Sequence, residues 1–381
     1  MDKSKWGYKK LGEVATFLNG YAFKPSEWNS EGLPIIRIQN LTNTNAEYNY
    51  FNGDNIDKRY IVNNGDLLVS WSATLGAFIW DGDKAILNQH IFKTIFDKTD
   101  IDKHFLRYSI ISSLNLMSTK AHGITMRHIT KKDFDNIKIR VPPLSDQHHI
   151  VSELDKLSDI ISLKQQQMKE YDALAQSLFY EMFGDENNQY NGFQTFKLSE
   201  LFEVGTGSTP SRKLENIYYG GTLNWVKTTE IQGNYISETE EKITQKALDD
   251  TNCKMYPSNT ILIAMYGQGK TRGQVARLSV PAATNQACAA ILPKPEICNT
   301  DFLFEFFLLS YERIRNMARG GTQSNLNLSL VKSIEIPLPP LSLQRSFAEK
   351  VKAIEHQKSL LKQSIAETQT LLDSRMQEYF G

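Results

Sequence analysis

Two long stretches of the chain carry apolar residues at spacings of three and four, the pattern of an amphipathic helix. No proline or glycine interrupts residues 145–183 or residues 342–380. At 1.5 Å per residue, each predicted helix of about 38 residues is roughly 57 Å long. We expect Ser145 to cap the first helix and Gly184 to end it.

The apolar stripes keep a coiled-coil register for about three heptads, with polar interruptions. A helix of this length cannot bury its stripe on one small domain, so we expect the two helices to pair as an antiparallel coiled coil. The alternative is that each helix packs on a separate partner protein. The residues expected in the pairing are Leu154, Leu157, Ile161, Met168, Val351, Ile354, Leu361, Ile365 and Leu372.

The segments before the helices alternate short apolar runs with turn signals, which is typical of mixed α/β domains. The predicted strands are Pro34–Ile38, Asp66–Trp71, Ile137–Val141, Leu223–Lys227, Thr260–Met265 and Ile334–Leu338, and the predicted helices are Asp102–Leu116 and Asp301–Ala318. The sequence therefore predicts an α/β mixed (α+β) fold. Its domains are residues 1–144 and 185–341, each followed by a spacer helix at 145–184 and 342–381.

An internal repeat covers the chain. VPPLSDQ at residues 141–147 matches LPPLSLQ at 338–344, and Asn88-Gln89 matches Asn285-Gln286, both 197 positions apart. Lys10-Leu11 matches Lys197-Leu198 at 187 positions, so the second copy has gained about ten residues. The segments before the proline pairs diverge much more than those after them. This indicates two copies of one scaffold with two different surfaces, although duplication followed by drift is the alternative.

Composition bounds the class of protein. No run of eighteen apolar residues and no secretory leader occurs, so we expect neither a membrane span nor export. Three cysteines without a C-x-x-C pair argue against a disulfide framework or a zinc ribbon and are consistent with the cytoplasm. The net charge is zero, which counts against a simple basic nucleic-acid binder. Only residues 1–145 are clearly basic, with 19 Lys and Arg against 15 Asp and Glu.

The divergent segments nevertheless carry side chains suited to nucleic acid. Arg, Gln and Asn read guanine and adenine edges through paired hydrogen bonds, and IRIQN at residues 36–40 corresponds to WVKTTE at 225–230. Residues 125–128 correspond to 322–325, and lysines nearby are suited to phosphates. A charged run is equally typical of a solvated face. The candidate contacts are Arg37, Gln39, Asn40, Lys120, Thr125, Arg127, His128, Lys131, Lys227, Thr229, Gln268, Lys270, Arg272, Thr322, Gln323, Ser324 and Asn325.

Signals for catalysis are weak. The chain has no N-P-P or D-P-P and no H-E-x-x-H motif, and we interpret the E-x-K within residues 238–242 as part of a charged loop. AMYGQGKT at residues 264–271 resembles a phosphate-binding P-loop but lacks its first glycine, and Gly273 and Pro281 argue against a following long helix. We interpret it as a loop that contacts DNA phosphates through Lys270 and Arg272. We expect no metal and no cofactor in this chain.

As a set, these features resemble the specificity subunits of Type I restriction–modification systems. The resemblance rests on the two tandem units, on RVPPLSDQ and PLPPLSLQ, and on the domain starts at Lys10–Val14 and Lys197–Leu201. Asn285-Gln286 and Gly321-Thr322 are further landmarks. The first copy departs from the last one, because Ile124 lies between Gly123 and Thr125.

The resemblance implies a non-catalytic reader of double-stranded DNA. Each variable domain would be a target recognition domain for one half of an asymmetric, bipartite site, and the helices would set the gap between the halves. Two modification subunits would supply S-adenosylmethionine and adenine methylation, and restriction subunits would supply translocation and cleavage with ATP and magnesium. The alternatives are a coiled-coil protein-binding scaffold, an NTPase that uses Lys270, or the specificity module of another restriction class.

Overall fold

A computed structural model of the chain describes residues 3–43, 45–53, 56–120, 129–185, 187, 189–267, 269–317 and 325–381, with Lys5 and residues 118–120 described by their backbone alone. The chain divides into two compact units. Unit 1 comprises Met1–Gln165 and Lys362–Gly381, and unit 2 comprises Gln166–Leu361. Each long helix therefore contributes one part to each unit.

The described residues of unit 1 form short strands and several helices. The strands are β1 Gly7–Lys10, β2 Thr16–Asn19, β3 Leu33–Ile36, β4 Asn49–Phe51, β5 Ile61–Val62, β6 Leu67–Ser70, β7 Gly76–Ile79, β8 Ala85–Leu87, β9 Ile91–Ile95 and β10 Lys138–Val141. The α-helices are α1 Leu11–Val14, α2 Ile38–Thr42, α3 Lys103–Lys120, α4 Lys131–Asp135, the first part of α5 Leu144–Phe183 and the last part of α12 Leu341–Phe380.

Two four-stranded sheets organise unit 1, with the orders β2-β9-β6-β7 and β4-β3-β8-β5. The first sheet is antiparallel, whereas β3 and β8 in the second run parallel. Aromatic side chains fill the core beside the first sheet, where the ring of Phe17 lies edge-on to that of Phe134 with 4.8 Å between centroids. Phe105 of α3 is buried in the same core.

Unit 2 repeats this plan with additions. The strands are β11 Thr195–Lys197, β12 Val204–Thr206, β13 Tyr219–Val226, β14 Asn234–Ile236, β15 Glu241–Ile243, β16 Ile261–Ala264, β17 Val275–Leu278, β18 Ala283–Thr284, β19 Cys288–Ile291 and β20 Glu335–Pro337. The α-helices are α6 Leu198–Leu201, α7 Glu215–Tyr218, α8 Gln245–Asp250, α9 Thr300–Leu309, α10 Tyr311–Asn316, α11 Leu328–Lys332, the first part of α12 and the last part of α5.

The sheets of unit 2 have the orders β12-β19-β16-β17-β14 and β15-β13-β18. β13 and β18 run parallel, as β3 and β8 do in unit 1, and β14 is an added edge strand. A group of phenylalanines fills the core, with 4.8 Å between the ring centroids of Phe183 and Phe302 and 5.6 Å between those of Phe179 and Phe347.

A short strand pair closes each unit and explains one of the repeated motifs. β1 pairs with β10, and β11 pairs with β20, both antiparallel. The backbone N–H of Lys10 donates to the Glu13 carboxylate at 2.9 Å, and that of Lys197 donates to Glu200 at 2.7 Å. The K-L-x-E pattern is therefore a self-capped turn at the start of each unit.

The six predicted strands are confirmed with small shifts of their ends, and so are both long helices of 40 residues. The expected cap was wrong. α5 begins at Leu144, so Ser145 lies within the first turn, because the Pro143 carbonyl already accepts from the N–H groups of Asp146 and Gln147. Gly184 follows the last helical residue with φ of +73°, as expected of a C-terminal glycine.

The second predicted domain helix was also wrong in its length. α9 ends at Leu309 and α10 begins at Tyr311, because Ser310 has φ −84° and ψ 6°, outside the helical range. The predicted end at Ala318 lies outside the described residues. Of the helices described, none combines the length and the apolar character that a bilayer crossing requires.

Within each unit, the two long helices contact one another in antiparallel order. In unit 1, Glu153 forms an ion pair with Arg375 at 2.8 Å, and Lys164 donates to Ser364 and Thr368 at 2.7 and 2.8 Å. In unit 2, Lys358 pairs with Asp172 at 2.7 Å and the rings of Phe179 and Phe347 meet. In both units, residues that come later in α5 contact residues that come earlier in α12, as in an antiparallel pair.

The predicted pairing stripes are the less exposed faces of both helices. In unit 1, Leu154 is fully buried and lies in one apolar cluster with Leu372. In unit 2, Val351 lies in the cluster that contains Phe179. Ile161 and Ile354 are buried, and Leu157, Met168, Leu361 and Ile365 are half-buried. Knobs-into-holes packing along the whole pair stays a prediction.

Candidate nucleic-acid interface

In each unit, two parallel strands end side by side and bring two repeated motifs together. The N–H of Asn88, directly after β8, donates to the carbonyl of Ile36 at 3.1 Å. The N–H of Asn285, directly after β18, donates to that of Val226 at the same distance. Arg37 and Lys227, the residues that follow β3 and β13, therefore lie beside the Asn-Gln motif of their own unit.

The residue that follows β6 in unit 1 and the residue that follows β16 in unit 2 lie at the same edge. In unit 1, Trp71 donates its N–H to the carbonyl of His90 at 3.4 Å and accepts from Ile129 at 3.1 Å. In unit 2, Met265 donates to Ala287 at 2.8 Å and accepts from Leu326 at 3.1 Å. Ile129 directly follows the candidate segment 125–128, and Leu326 directly follows 322–325. Ile129 and Leu326 therefore occupy equivalent places in the two units, whereas the candidate segments themselves, except Asn325, lie outside the described residues.

Sequence reasoning missed a further segment, the one after β2 and β12. Tyr21 donates its N–H to Leu87 at 2.7 Å, and Ser208 donates to Thr284 at 2.9 Å. A Cβ atom on Gly20 would lie 2.2 Å from the Asn88 carbonyl oxygen, and one on Gly207 would lie 1.8 Å from that of Thr284. Only glycine allows this approach. The signal was available, because the two glycines are 187 positions apart, like the domain starts.

We call this surface the loop edge of each unit. In unit 1 the loop edge comprises residues 19–23, 37–40, 71–75 and 88–90, and in unit 2 residues 206–212, 227–230, 265–267, 269–273 and 285–287. The same backbone hydrogen bonds assemble it twice from segments with dissimilar side chains.

The candidate residues of unit 1 around Arg37 differ in their exposure, and Arg37 itself is half-buried. The Arg37 guanidinium lies 5.5 Å from the ring centroid of Trp28, which is exposed, and donates weakly to the Glu47 carbonyl at 3.4 Å. Gln39 is exposed. Asn40 is buried, accepts from the Arg37 N–H at 3.0 Å and donates to the carbonyls of Ala46 and Glu47 at 3.2 Å. It therefore holds the loop that presents the other two.

Lys131 is engaged within unit 1. Its ammonium group pairs with Asp135 one turn later on α4 and lies 5.8 and 5.6 Å from the ring centroids of Phe17 and Phe92. The Lys120 side chain, Thr125, Arg127 and His128 lie outside the described residues.

In unit 2, Lys227 lies between two carboxylates. Its ammonium group is 2.7 Å from Glu240 and 3.1 Å from Glu241, and these hydrogen bonds raise the pKa of Lys227 above its ordinary value. The prediction of a charged loop at residues 238–242 was wrong in part, because Glu241 is the first residue of β15. β15 pairs with β13, and this pairing brings Glu241 beside Lys227. Thr229 is exposed, and its carbonyl accepts from Gln232 at 2.8 Å.

Glu241 also binds a cation that sequence reasoning missed. Arg212 donates to Glu241 at 2.6 Å and pairs with Glu215 at 3.2 Å, while its guanidinium lies 4.0 Å from the ring centroid of Tyr219. Burial acts to raise the pKa of Glu241, but hydrogen bonds from Lys227 and Arg212 lower it below its ordinary value. The carboxylate is therefore charged at neutral pH.

The loop between β16 and β17 has a conformation that needs glycine. Gly267, Gly269 and Gly273 have φ values of +147°, +59° and +86°. Tyr311 of α10 donates its hydroxyl to the Lys270 carbonyl at 2.8 Å and so fixes the tip. The Lys270 side chain is exposed and that of Arg272 is half-buried.

This loop leads into a strand rather than a helix, so it lacks the helix N-terminus on which a P-loop depends. Asn325 is exposed, whereas Gln268, Thr322, Gln323 and Ser324 lie outside the described residues.

Within the described ranges, no group of three or more His, Cys, Asp or Glu side chains is arranged to hold a metal ion. The three cysteines are buried and unpaired. Burial raises the pKa of Cys288 and Cys298 to about 12, so both are neutral thiols at pH 7.

Comparison with known proteins places the chain among restriction systems. The family described as the Type I restriction modification DNA specificity domain matches residues 3–171 and 190–369. The chain is 22% identical over 329 residues to the Type I restriction enzyme MjaVIII specificity subunit of Methanocaldococcus jannaschii, covering 79% of this chain and 74% of that protein. It is 30% identical over 154 residues to the Type I restriction enzyme EcoBI specificity subunit of Escherichia coli, covering 40% of this chain and 32% of that protein.

The fold resembles that of a chain in a solved structure. That structure is described as the structural basis underlying complex assembly and conformational transition of the type I R-M system. The TM-score is 0.64 at 18% identity, and the match covers 98% of this chain and 96% of that chain. At this identity the likeness concerns the fold.

Proposed function

This chain belongs to the Type I restriction modification DNA specificity family as a specificity subunit, and we propose that each of its units reads one half of a split duplex-DNA site through its loop edge. The observation that carries the proposal is the double construction of that edge. The same backbone hydrogen bonds assemble it in both units, whereas the side chains that it presents differ. A backbone frame that is repeated with different side chains supports the reading of two unlike half-sites.

The proposal gives the side chains different tasks. Arg37 and Gln39 are suited to base edges in unit 1, because both can make paired hydrogen bonds to a purine. Lys270 is suited to a phosphate in unit 2, because it is exposed at the tip of a loop whose backbone is tethered by Tyr311. Asn40 positions the loop rather than reading a base.

The chemistry would come from other chains. We propose that the chain is non-catalytic and acts in the cytoplasm with two modification subunits that bind S-adenosylmethionine and methylate adenine. Restriction subunits would add ATP- and magnesium-dependent translocation and cleavage. The naming of its relatives as specificity subunits supports this division of labour.

The test is a map of modified adenines. The chain is expressed with its modification subunit in a host without DNA methylation, and modified bases are located by long-read sequencing. We expect one asymmetric motif of two short halves around an unspecified gap. The variant R37A/Q39A should relax one half and leave the other unchanged. A continuous motif would contradict two separate readers, and its absence with a soluble complex would favour a protein-binding scaffold.

Lys270 has a matched control for binding. Lys270→Ala should weaken binding to all duplexes and lower the slope of log K against log salt by about 1, because one phosphate contact is lost. Lys246→Ala removes a lysine of α8 that pairs with Asp250 at 3.0 Å, outside the loop edge, and should leave the slope unchanged. Equal effects of the two variants would argue against a phosphate contact by Lys270.

A further inference from the structure

One position of the loop edge carries a cation in both units. Arg37 and Lys227 are each the first residue after a strand that pairs in parallel. Each donates its backbone N–H to the side chain three residues later, at 3.0 Å to Asn40 and at 2.7 Å to Glu230. The two cations are therefore structural equivalents, and their surroundings can be compared directly.

The surroundings differ in charge. Among the residues that the structure describes, no carboxylate lies within ion-pair distance of Arg37, whose contacts are the Trp28 ring and the Glu47 carbonyl. Lys227 lies between Glu240 and Glu241, and Glu241 also binds Arg212. With Glu215 on Arg212, unit 2 places three carboxylates on two cations.

We propose that Glu240 and Glu241 are specificity-determining residues that neutralise Lys227 and Arg212 in the absence of target DNA and so weaken the binding of unit 2 to DNA of any other sequence. This rests on the proposed function, since it requires that the loop edge of unit 2 faces DNA. Glu240 and Glu241 together are called the carboxylate guard.

The guard carboxylates are exposed enough for a DNA phosphate to take their place beside Lys227. The side chains of Lys227 and Glu241 retain 26% and 28% of their accessible surface, and Glu240 retains 67%. Ion pairs with this much contact with water contribute little to stability, so a DNA phosphate can replace a carboxylate at small cost. Until it does, the guard carboxylates repel the phosphate backbone.

The positions of the guarded cations are nevertheless fixed. Arg212 stacks on the Tyr219 ring, and the Tyr219 hydroxyl donates to the Pro210 carbonyl at 2.8 Å. Glu230 accepts from the N–H groups of both Lys227 and Glu240, at 2.7 and 2.9 Å. Contacts other than the ion pairs with the guard therefore hold Arg212 and the backbone of Lys227 and Glu240.

The consequence is an unequal division of binding between the units. Sequence-independent affinity comes from neutralised phosphates and the release of their counterions. Unit 1 offers an unguarded arginine at the shared position, and residues 1–145 carry the excess of basic residues. In unit 2 the carboxylate guard neutralises two cations in the absence of target DNA, so the binding of unit 2 depends more strongly than that of unit 1 on the contacts that a correct half-site adds.

The experiment compares E240Q/E241Q with the unaltered chain, each assembled with its modification subunits. Affinities for a target duplex and for a random-sequence duplex are measured across a range of salt concentrations. We expect the variant to bind the random duplex roughly tenfold more tightly at 0.1 M salt and to steepen the salt slope by about 1 to 2. The ratio of target to random affinity should fall, because the target already displaces the guard.

Glu238→Gln is the matched control, because Glu238 belongs to the same acidic stretch, is 81% exposed and pairs only distantly with Lys242 at 3.7 Å. It should change neither affinity nor slope. Glu240→Gln alone, at the most exposed guard position, should give part of the effect, which separates the guard from damage to the fold. Unchanged or weaker binding of the random duplex by the double variant would overturn the proposal.

The proposed function is tested by a different experiment, the map of modified adenines. If the methylation motif is split and R37A/Q39A relaxes one half, the loop edge reads DNA whatever the guard variant does. A split motif with no gain in random-duplex affinity would therefore reject the guard alone.

Discussion

Gln147 in unit 1 and Gln344 in unit 2 make the same two hydrogen bonds. Gln147 accepts from the N–H of Asp102 and donates to the carbonyl of Pro142, both at 2.8 Å. Gln344 accepts from Asn299 and donates to Pro339, both at 2.7 Å. Both side chains are buried. The final glutamine of the repeated P-P-L-S-x-Q motif thus ties the start of a long helix to the start of a domain helix.

Gln344→Ala should lower the free energy of unfolding by about 3 kcal/mol. It leaves a buried N–H and a buried carbonyl without partners, and each such group costs about 1–3 kcal/mol. Urea unfolding measures the loss. Gln357→Ala, an exposed position on the same helix, is the control and should change stability by less than about 0.5 kcal/mol. A loss no larger than that of the control would mean that the motif does not tie the helices.

Gly207→Ala should be strongly destabilising because the new Cβ would lie 1.8 Å from the Thr284 carbonyl oxygen. The backbone of the loop edge would have to move, at a cost of roughly 2–3 kcal/mol. Gly7→Ala is the matched control, since no atom lies within 4 Å of the corresponding Cβ. Thermal unfolding of the two variants measures the difference. Equal midpoints would show that the segment after β12 does not pack closely on β18.

Leu154→Ala tests the buried stripe of α5. Leu154 is fully buried in the core of unit 1, and a buried leucine replaced by alanine costs about 2–5 kcal/mol. Leu163 is on the same helix but is 65% exposed, so Leu163→Ala should cost less than about 0.5 kcal/mol. Urea midpoints of the two variants provide the measurement. Comparable losses would place the pairing stripe on another face.

Glu305 should make unit 2 less stable as the pH rises. Burial raises the pKa of Glu305 to about 7, and the nearby Glu355 carboxylate adds to the rise. Since the ordinary value is 4.5, the folded chain binds more protons than the unfolded chain between these values. The stabilisation is complete below pH 4.5 and is lost as the pH rises through about 7.

Glu305→Gln should remove this part of the pH dependence. Its unfolding free energy should exceed that of the unaltered chain by about 1–3 kcal/mol at pH 8, where each unit of pKa shift corresponds to about 1.4 kcal/mol. The difference should shrink toward pH 5. Glu349→Gln, exposed on α12, is the control and should show no such trend. A difference that does not vary with pH would contradict an elevated pKa.

The local pattern of apolar residues, prolines and glycines was sufficient to predict the long helices, and repeated motifs were sufficient to identify the internal repeat. The long helices are continuous because no proline or glycine interrupts their hydrogen bonds, and the stripes of three and four identified their buried faces. Leu154 and Val351 lie on the stripes that the helical period identifies, and both are buried. The break at Ser310 was not predicted, because no proline or glycine marks it.

The candidate site depended on contacts between distant residues. Asn40 has the chemistry of a base reader, yet it is buried, because the loop to Glu47 folds back over it. Glu241 had the sequence of a charged loop, yet the pairing of β13 with β15 sets it between Lys227 and Arg212.

The sequence by itself determined the family, the two-unit plan and the long helices, since each rests on local periodicity or on a repeated motif. Only the tertiary structure decided which polar side chains face solvent and which are engaged within the chain. Side-chain chemistry defines what Arg37 and Lys227 are able to bind. Tertiary packing sets Arg37 beside Trp28, and the pairing of β13 with β15 sets Lys227 between two carboxylates. Both arrangements arise from burial and backbone pairing across many residues.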